Sequence, residues 1–186
     1  IMILFVSGNV PSSDAFLQLL ETCFPEQEVA AVAEISEALL LFQQFHPKIH
    51  LVVCQFELPT GSAYSLISEL KKINPIPEIL FFSEFENVNH AVESIRRGAF
   101  DFVNPPFQSP AVVQSLHHAL EVVDICNTYD AQFGLRSDPF LHTKKLALSK
   151  KMRDHKRTQN SALSSAVIES VFKQKPGKKA SKKGKT

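Results

Sequence analysis

The chain has 186 residues, 44% hydrophobic and 21% charged, with 3 cysteines and a net charge of +1. That balance excludes collagen-like, disulfide-scaffold and wholly disordered chains, and it suits one globular domain of about 100–200 residues with an appendage. The near-neutral total conceals a split: residues 1–140 carry 6 Lys+Arg against 17 Asp+Glu, and residues 141–186 carry 14 against 2, which reads as an acidic globular part followed by a basic arm.

The opening run Ile1-Met-Ile-Leu-Phe-Val6 has no basic flank and stops at Ser-Gly-Asn. It is too short for a signal core or a membrane span. Position 1 is not Met, which reads as a trimmed product or an unusual start. No other apolar run approaches about 18 residues, so the expectation is a cytoplasmic protein with no membrane span. Cys23, Cys54 and Cys126 are odd in number and contain no Cys-x-x-Cys pair. A disulfide framework or a cysteine zinc site is therefore not expected, and a reducing compartment fits.

Residues 2–6 predict the first strand, and 14–24 the first helix, with Ser12 and Ser13 as caps and Phe16, Leu19, Leu20 and Cys23 on one face. A second strand follows over 28–32 and a helix over 36–45. The run 49–54 predicts a third strand, followed by a helix over 62–73 carrying Leu66, Ile67 and Leu70. Residues 79–82 form the fourth strand, and a helix over 87–97 ends at Gly98, suited to the left-handed position after a helix. The fifth strand covers 100–103, and a helix over 110–123 starts with Ser109 as cap and Pro110 in its first turn. Strands 1, 3 and 4 are nearly uninterrupted apolar runs, as strands covered on both faces should be.

Five β–α units with short connections predict an α/β, flavodoxin-like fold with a parallel five-stranded sheet in the order 2-1-3-4-5. Any site of such a fold is built just after Val6, Cys54, Phe82 and Val103, where the strands end. Residues 1–123 form this domain. Residues 124–138 read as a linker or a frayed helix extension, and 139–172 as a basic helical extension with helices over 139–157 and 161–172. Residues 173–186, with seven lysines, two glycines and no acids, read as a disordered tail.

The segments Ile76-Pro-Glu-Ile-Leu-Phe-Phe-Ser83, Gly98-Ala-Phe-Asp-Phe-Val-Asn-Pro-Pro-Phe107 and Leu58-Pro59-x-Gly61 resemble the receiver domain of two-component response regulators, over about residues 2–122. The resemblance implies acyl-phosphate chemistry. An aspartate at the end of strand 3 is the nucleophile, and two acids after strand 1 help hold magnesium. A lysine after strand 5 grips the phosphate, and a Ser/Thr after strand 4 senses it. Here the nucleophile position is Gln55, the acidic pair is Ser7-Gly8 and the lysine position is Pro105. Only Ser83, the aromatic switch position Phe102 and Pro106 remain. A carboxamide is a very poor nucleophile towards phosphorus. Glu57 and Glu84 read as solvated loop residues, not as a residual metal site. The resemblance also implies a cis bond between Pro105 and Pro106.

The expectation is therefore a pseudo-receiver with no metal, no cofactor and no enzymatic activity. It would act through a protein partner or homodimer on the face of helix 4, strand 5 and helix 5, including Phe102, Pro106, Arg96 and Arg97. One alternative is a nucleic-acid-binding regulator using Lys173, Lys175, Lys178, Lys179, Lys182, Lys183 and Lys185, which would neutralise phosphates without reading sequence. The arm could equally dock on the acidic domain of its own chain. A second alternative is a phosphorelay receiver with an unconventional acceptor. The histidines lack zinc spacing. Ser83 has no His base beside it, and Gly8 belongs to no nucleotide-binding motif. The 15 phenylalanines read as core.

Overall fold

The computed structural model describes residues 1–8, 11–59, 61–133 and 139–156. The anticipated helix over 161–172 and the lysine-rich tail lie outside the described residues. Five strands, β1 (Met2–Val6), β2 (Glu28–Val32), β3 (Ile49–Gln55), β4 (Glu78–Phe82) and β5 (Asp101–Val103), form one sheet in the order β2-β1-β3-β4-β5. All four pairings are parallel, as the sequence predicts. The helices are α1 (Pro11–Cys23), α2 (Ile35–Phe45), α3 (Ala63–Ile73), α4 (Val88–Arg96), α5 (Pro110–Phe133) and α6 (Pro139–Lys156).

Strand alternation divides the core into two layers. Ile3, Phe5, Leu51, Val53, Leu80 and Phe82 face α1 and α5, where Phe16, Leu20, Val112 and Leu116 receive them. Leu4, Val6, Val52, Cys54, Ile79 and Phe81 face α2 and α3 and meet Ala38, Phe42, Leu66, Ile67 and Leu70. Helix α4 stands apart: only Ser94 is buried along it, and Val88 and Val92 are 78% and 45% exposed.

Two boundaries differ from the sequence reading by more than one residue. Helix α1 starts at Pro11, so Ser12 and Ser13 sit in its first turn, where proline needs no hydrogen-bond acceptor. Helix α5 runs on to Phe133, so residues 124–133 are the helix extension and not the linker of the two alternatives. Its continuation is stabilised by burial of Val122, Val123 and Cys126, in the same cluster as Leu148 of α6.

Helix α6 is joined to the sheet by a buried ion pair. Lys145 Nζ donates to the carbonyls of Pro75 and Pro77 at 2.7 and 2.8 Å and lies 3.3 Å from Glu78 Oε2. Both side chains are 3% exposed. Three ammonium donors thus meet three acceptors. Ser149 hydrogen-bonds the other oxygen of Glu78. At the end of α4, Gly98 takes φ +96°, and a Cβ there would lie 2.0 Å from Lys71 Nζ. That nitrogen donates to the Gly98 carbonyl at 2.7 Å. Among the described residues no helix is long and apolar enough to cross a membrane.

Candidate functional site

The parallel sheet brings the ends of β1, β3, β4 and β5 to one edge. Ser7 and Gly8 follow β1, Gln55 closes β3, Ser83 follows β4, and Asn104 and Pro105 follow β5. Gln55 is 6% exposed, so its amide has to find partners within the protein. Its Oε1 accepts from the Gly8 N–H at 3.0 Å and from the Ser7 hydroxyl at 2.9 Å. Its Nε2 donates to the Glu57 carbonyl at 3.0 Å. The Gly8 N–H can only donate, so the amide oxygen must face it, and the orientation of the carboxamide is determined. Ser13 extends the network from α1: with the Ser7 proton given to Gln55, the Ser13 hydroxyl donates to either the Ser7 oxygen or the Gly8 carbonyl, the latter at 3.0 Å. A shallow cleft of about 260 Å³ opens beside Ser7, Gly8, Ser13 and Asp14.

A second set of bonds continues from Glu57. The Ser83 hydroxyl, fully buried, donates to Glu57 Oε1 at 2.6 Å. The Phe85 N–H donates to the same Ser83 oxygen at 3.0 Å. Asn104 Nδ2 donates to the carbonyls of Ser83 and Phe85, each at 2.9 Å. A polar chain therefore runs across the sheet end, from Ser13 through Ser7, Gln55, Glu57 and Ser83 to Asn104. It ties the strand ends together.

This corrects the reading of Glu57 as a solvated loop residue. The side chain is half-buried and holds Ser83, whereas Glu84 is exposed. The sequence also gave no prominence to Asn104 or Phe56. Asn104 could be suspected from its place directly before Pro105, at the end of β5. Phe56 lies between Gln55 and Glu57 and packs against Tyr64, Phe81, His90 and Phe102, with ring centroids at 5.2, 5.8, 4.7 and 5.3 Å. Its signal is only that of one more apolar residue after a strand.

The remaining predicted residues fall around this centre. Pro105 and Pro106 are exposed and joined by a cis bond. Phe102 is half-buried against Phe56. Arg96 is exposed, and Arg97 pairs with Glu93 at 2.7 Å and lies 4.5 Å over the Tyr64 ring. The seven tail lysines lie outside the described residues.

The receiver resemblance implies magnesium, and the donor set does not fit it. A hard divalent cation takes several oxygen ligands, usually carboxylates. Here an amide N–H faces the Glu57 carbonyl, β1 is followed by a serine and a glycine, and the Glu57 carboxylate already takes Ser83. Among the described residues no group of three or more His, Cys, Asp or Glu side chains converges on a metal position. Cys54, beside Gln55, is buried, and that burial pushes its thiol far up. A further cavity of about 570 Å³ lies away from the sheet end, between Phe24 and α5. There burial raises the Glu121 carboxyl.

Comparison with known proteins places these features in a family. The family model for the response regulator receiver domain matches residues 10–117. The transcriptional regulatory protein ZraR of Salmonella typhimurium is 28% identical over 90 residues, which span 46% of this chain and 20% of that protein. The chemotaxis protein CheY of Thermotoga maritima is 31% identical over 81 residues, 44% of this chain and 66% of that protein. A beryllofluoride-activated NtrC4 receiver domain dimer superposes with a TM-score of 0.58 at 20% identity, covering 66% of this chain and 98% of that one. The chain thus spans about a fifth of the length of the ZraR protein it matches.

Proposed function

Because the chain belongs to the response regulator receiver family, we propose that it acts in signal transduction as a receiver that binds a protein partner without accepting a phosphoryl group. The observation that carries this reading is the state of Gln55. Its carboxamide is uncharged and already bonded at both ends, to Ser7 and Gly8 on one side and to Glu57 on the other. No lysine stands at the end of β5, where the chain has Pro105. Incubation of the full chain with a small phosphodonor and magnesium, followed by intact mass, tests this. An unchanged mass is expected. A hydroxylamine-labile adduct would overturn the reading.

The face for binding is α4 with its entry loop. Phe85, Val88 and Val92 are 67%, 78% and 45% exposed. Glu84 and Glu86 flank Phe85 at the start of this apolar stripe and Arg96 closes it. A stripe with acids at one end and a cation at the other complements itself when two copies meet antiparallel. This supports a second copy of the chain as the occupant. The NtrC4 neighbour is a receiver dimer. The charge of the basic arm supports a second reading, binding of a nucleic-acid backbone through Lys173 to Lys185. DNA affinity that falls steeply with salt, and disappears when residues 173–186 are removed, is its test.

A further inference from the structure

Three consecutive side chains leave the end of β3 in three directions. Gln55 reaches β1, Phe56 reaches α4 and β5, and Glu57 reaches the loop after β4. We propose that the Glu57 carboxylate is a resident anion for Ser83, standing where a transferred phosphoryl group would otherwise act, so that the β4–α4 loop is held permanently in its anion-bound arrangement. The proposal rests on the reading that this site does not accept a phosphoryl group, and it adds what replaces one.

The proton count supports the assignment. Ser83 has one hydroxyl proton and two acceptors near it, Glu57 Oε1 at 2.6 Å and the Phe85 carbonyl at 3.0 Å. The shorter distance makes Glu57 Oε1 the acceptor of that proton. The Phe85 carbonyl does not need that proton, because Asn104 Nδ2 donates to it at 2.9 Å. The Ser83 oxygen is then free to accept the Phe85 N–H at 3.0 Å. The Ser83 hydroxyl, the Phe85 N–H and carbonyl and the Asn104 amide are thus used in one consistent arrangement.

The anion is itself positioned. Gln55 Nε2 fixes the Glu57 carbonyl at 3.0 Å, and Phe56 fixes the residue between them in its aromatic cluster. Substitution of an aspartate by glutamine at the strand end thus goes with a function for the carboxylate two residues later. The amide orients the backbone, and the backbone delivers Glu57 to Ser83. The consequence appears at Phe85. Both of its backbone polar groups are bonded inward, while its ring is 67% exposed beside Val88. An exposed aromatic on a fixed backbone loses little conformational entropy when a partner covers it.

The Phe85 amide reports the latch directly. Its hydrogen exchange is to be measured by NMR on the full chain, at a concentration where sedimentation shows monomer only. Glu57→Ala and Ser83→Ala should each accelerate that exchange by about tenfold, and the double variant should be no faster than Ser83→Ala, because both remove one coupled interaction. Glu57→Gln has the same shape and keeps a neutral acceptor, so it should lie between wild type and Glu57→Ala while retaining the fold. Unchanged exchange in Glu57→Ala and Glu57→Gln, or accelerations that multiply in the double variant, would overturn the proposal. A phosphodonor adduct on a chain that still shows Glu57-dependent exchange would instead reject the reading of Gln55 and leave the latch standing.

Discussion

The Nε2 of Gln55 donates to the Glu57 carbonyl at 3.0 Å, two residues ahead on the same loop. At this carbonyl the receiver resemblance would call for a metal ion, and the chain supplies an amide N–H from its own β3. A cation and an N–H both present positive charge to a carbonyl oxygen. The geometry of the loop can thus be retained although the charged cluster is absent.

Placing an aspartate at position 55 should not make the site a phosphoryl acceptor. In Gln55→Asp the side chain is one methylene shorter and has no N–H for Glu57. It also places a carboxylate beside Ser7 and Gly8, which supply no acid, with Pro105 and not a lysine after β5. We expect no phosphoryl adduct with a small phosphodonor and magnesium. We also expect a loss of about 1–3 kcal/mol of stability, the cost of leaving buried polar groups unsatisfied. Intact mass and urea denaturation measure the two outcomes.

The sheet and its order were legible because β1, β3 and β4 are continuous apolar runs separated by helices of ordinary length. The residues at the strand ends, Ser7, Gly8, Gln55 and Pro105, were legible because each is read directly off the sequence once the strands are placed. What was not legible depends on the third dimension. Glu57 has the composition of a loop residue, and only the approach of the β3 and β4 loops brings it to Ser83. Lys145 reads as one more cation of a basic arm. Its acceptors, Pro75, Pro77 and Glu78, lie about 70 residues earlier, a separation that no local periodicity records.

Helix α6 should prove part of the folded domain. Lys145→Met leaves the Glu78 carboxylate buried opposite an apolar chain, and breaking a buried pair on one side costs about 3–5 kcal/mol. Glu78→Gln in the same chain removes the stranded charge and should recover much of that loss. A double-mutant cycle by chemical denaturation reads the coupling. Additive effects of the two substitutions would show that α6 is not held by this pair.

The buried thiols give a pH dependence with a definite sign. Burial raises the Cys126 thiol from its ordinary 9.0 to about 12, and raises Cys54 as well. In the unfolded chain both thiols ionise near 9.0, whereas in the folded chain they stay protonated above that. The unfolded state is therefore the one favoured by deprotonation, and stability should be complete below pH 9 and decline as pH rises towards 12. Cys54→Ala and Cys126→Ala should each flatten this alkaline decline in thermal melts. At pH 8 iodoacetamide should modify the half-buried Cys23 in preference to both, because the thiolate is the reactive form. Mass mapping of the alkylated peptides decides it.

The α4 stripe makes a prediction specific to an antiparallel pair of copies. On such an axis Val92, near the middle, meets its own counterpart, and Arg96 of one copy faces Glu86 of the other. Val88→Glu should abolish self-association, since it introduces a charge into the apolar stripe. Arg96→Glu and Glu86→Arg should each weaken it, because like charges then oppose, and neither should alter the melting temperature of the monomer by more than about 1–2 °C, as expected for exposed positions. The double variant Arg96→Glu with Glu86→Arg reverses both charges and should restore the wild-type dimerisation constant. Sedimentation velocity across a concentration series reads all four chains. Recovery in the double variant separates a specific charge register from general stickiness of the stripe, because an unspecific apolar contact would respond to Val88→Glu alone. A wild-type chain that remains monomeric throughout the series would overturn the reading that a second copy covers Phe85, Val88 and Val92.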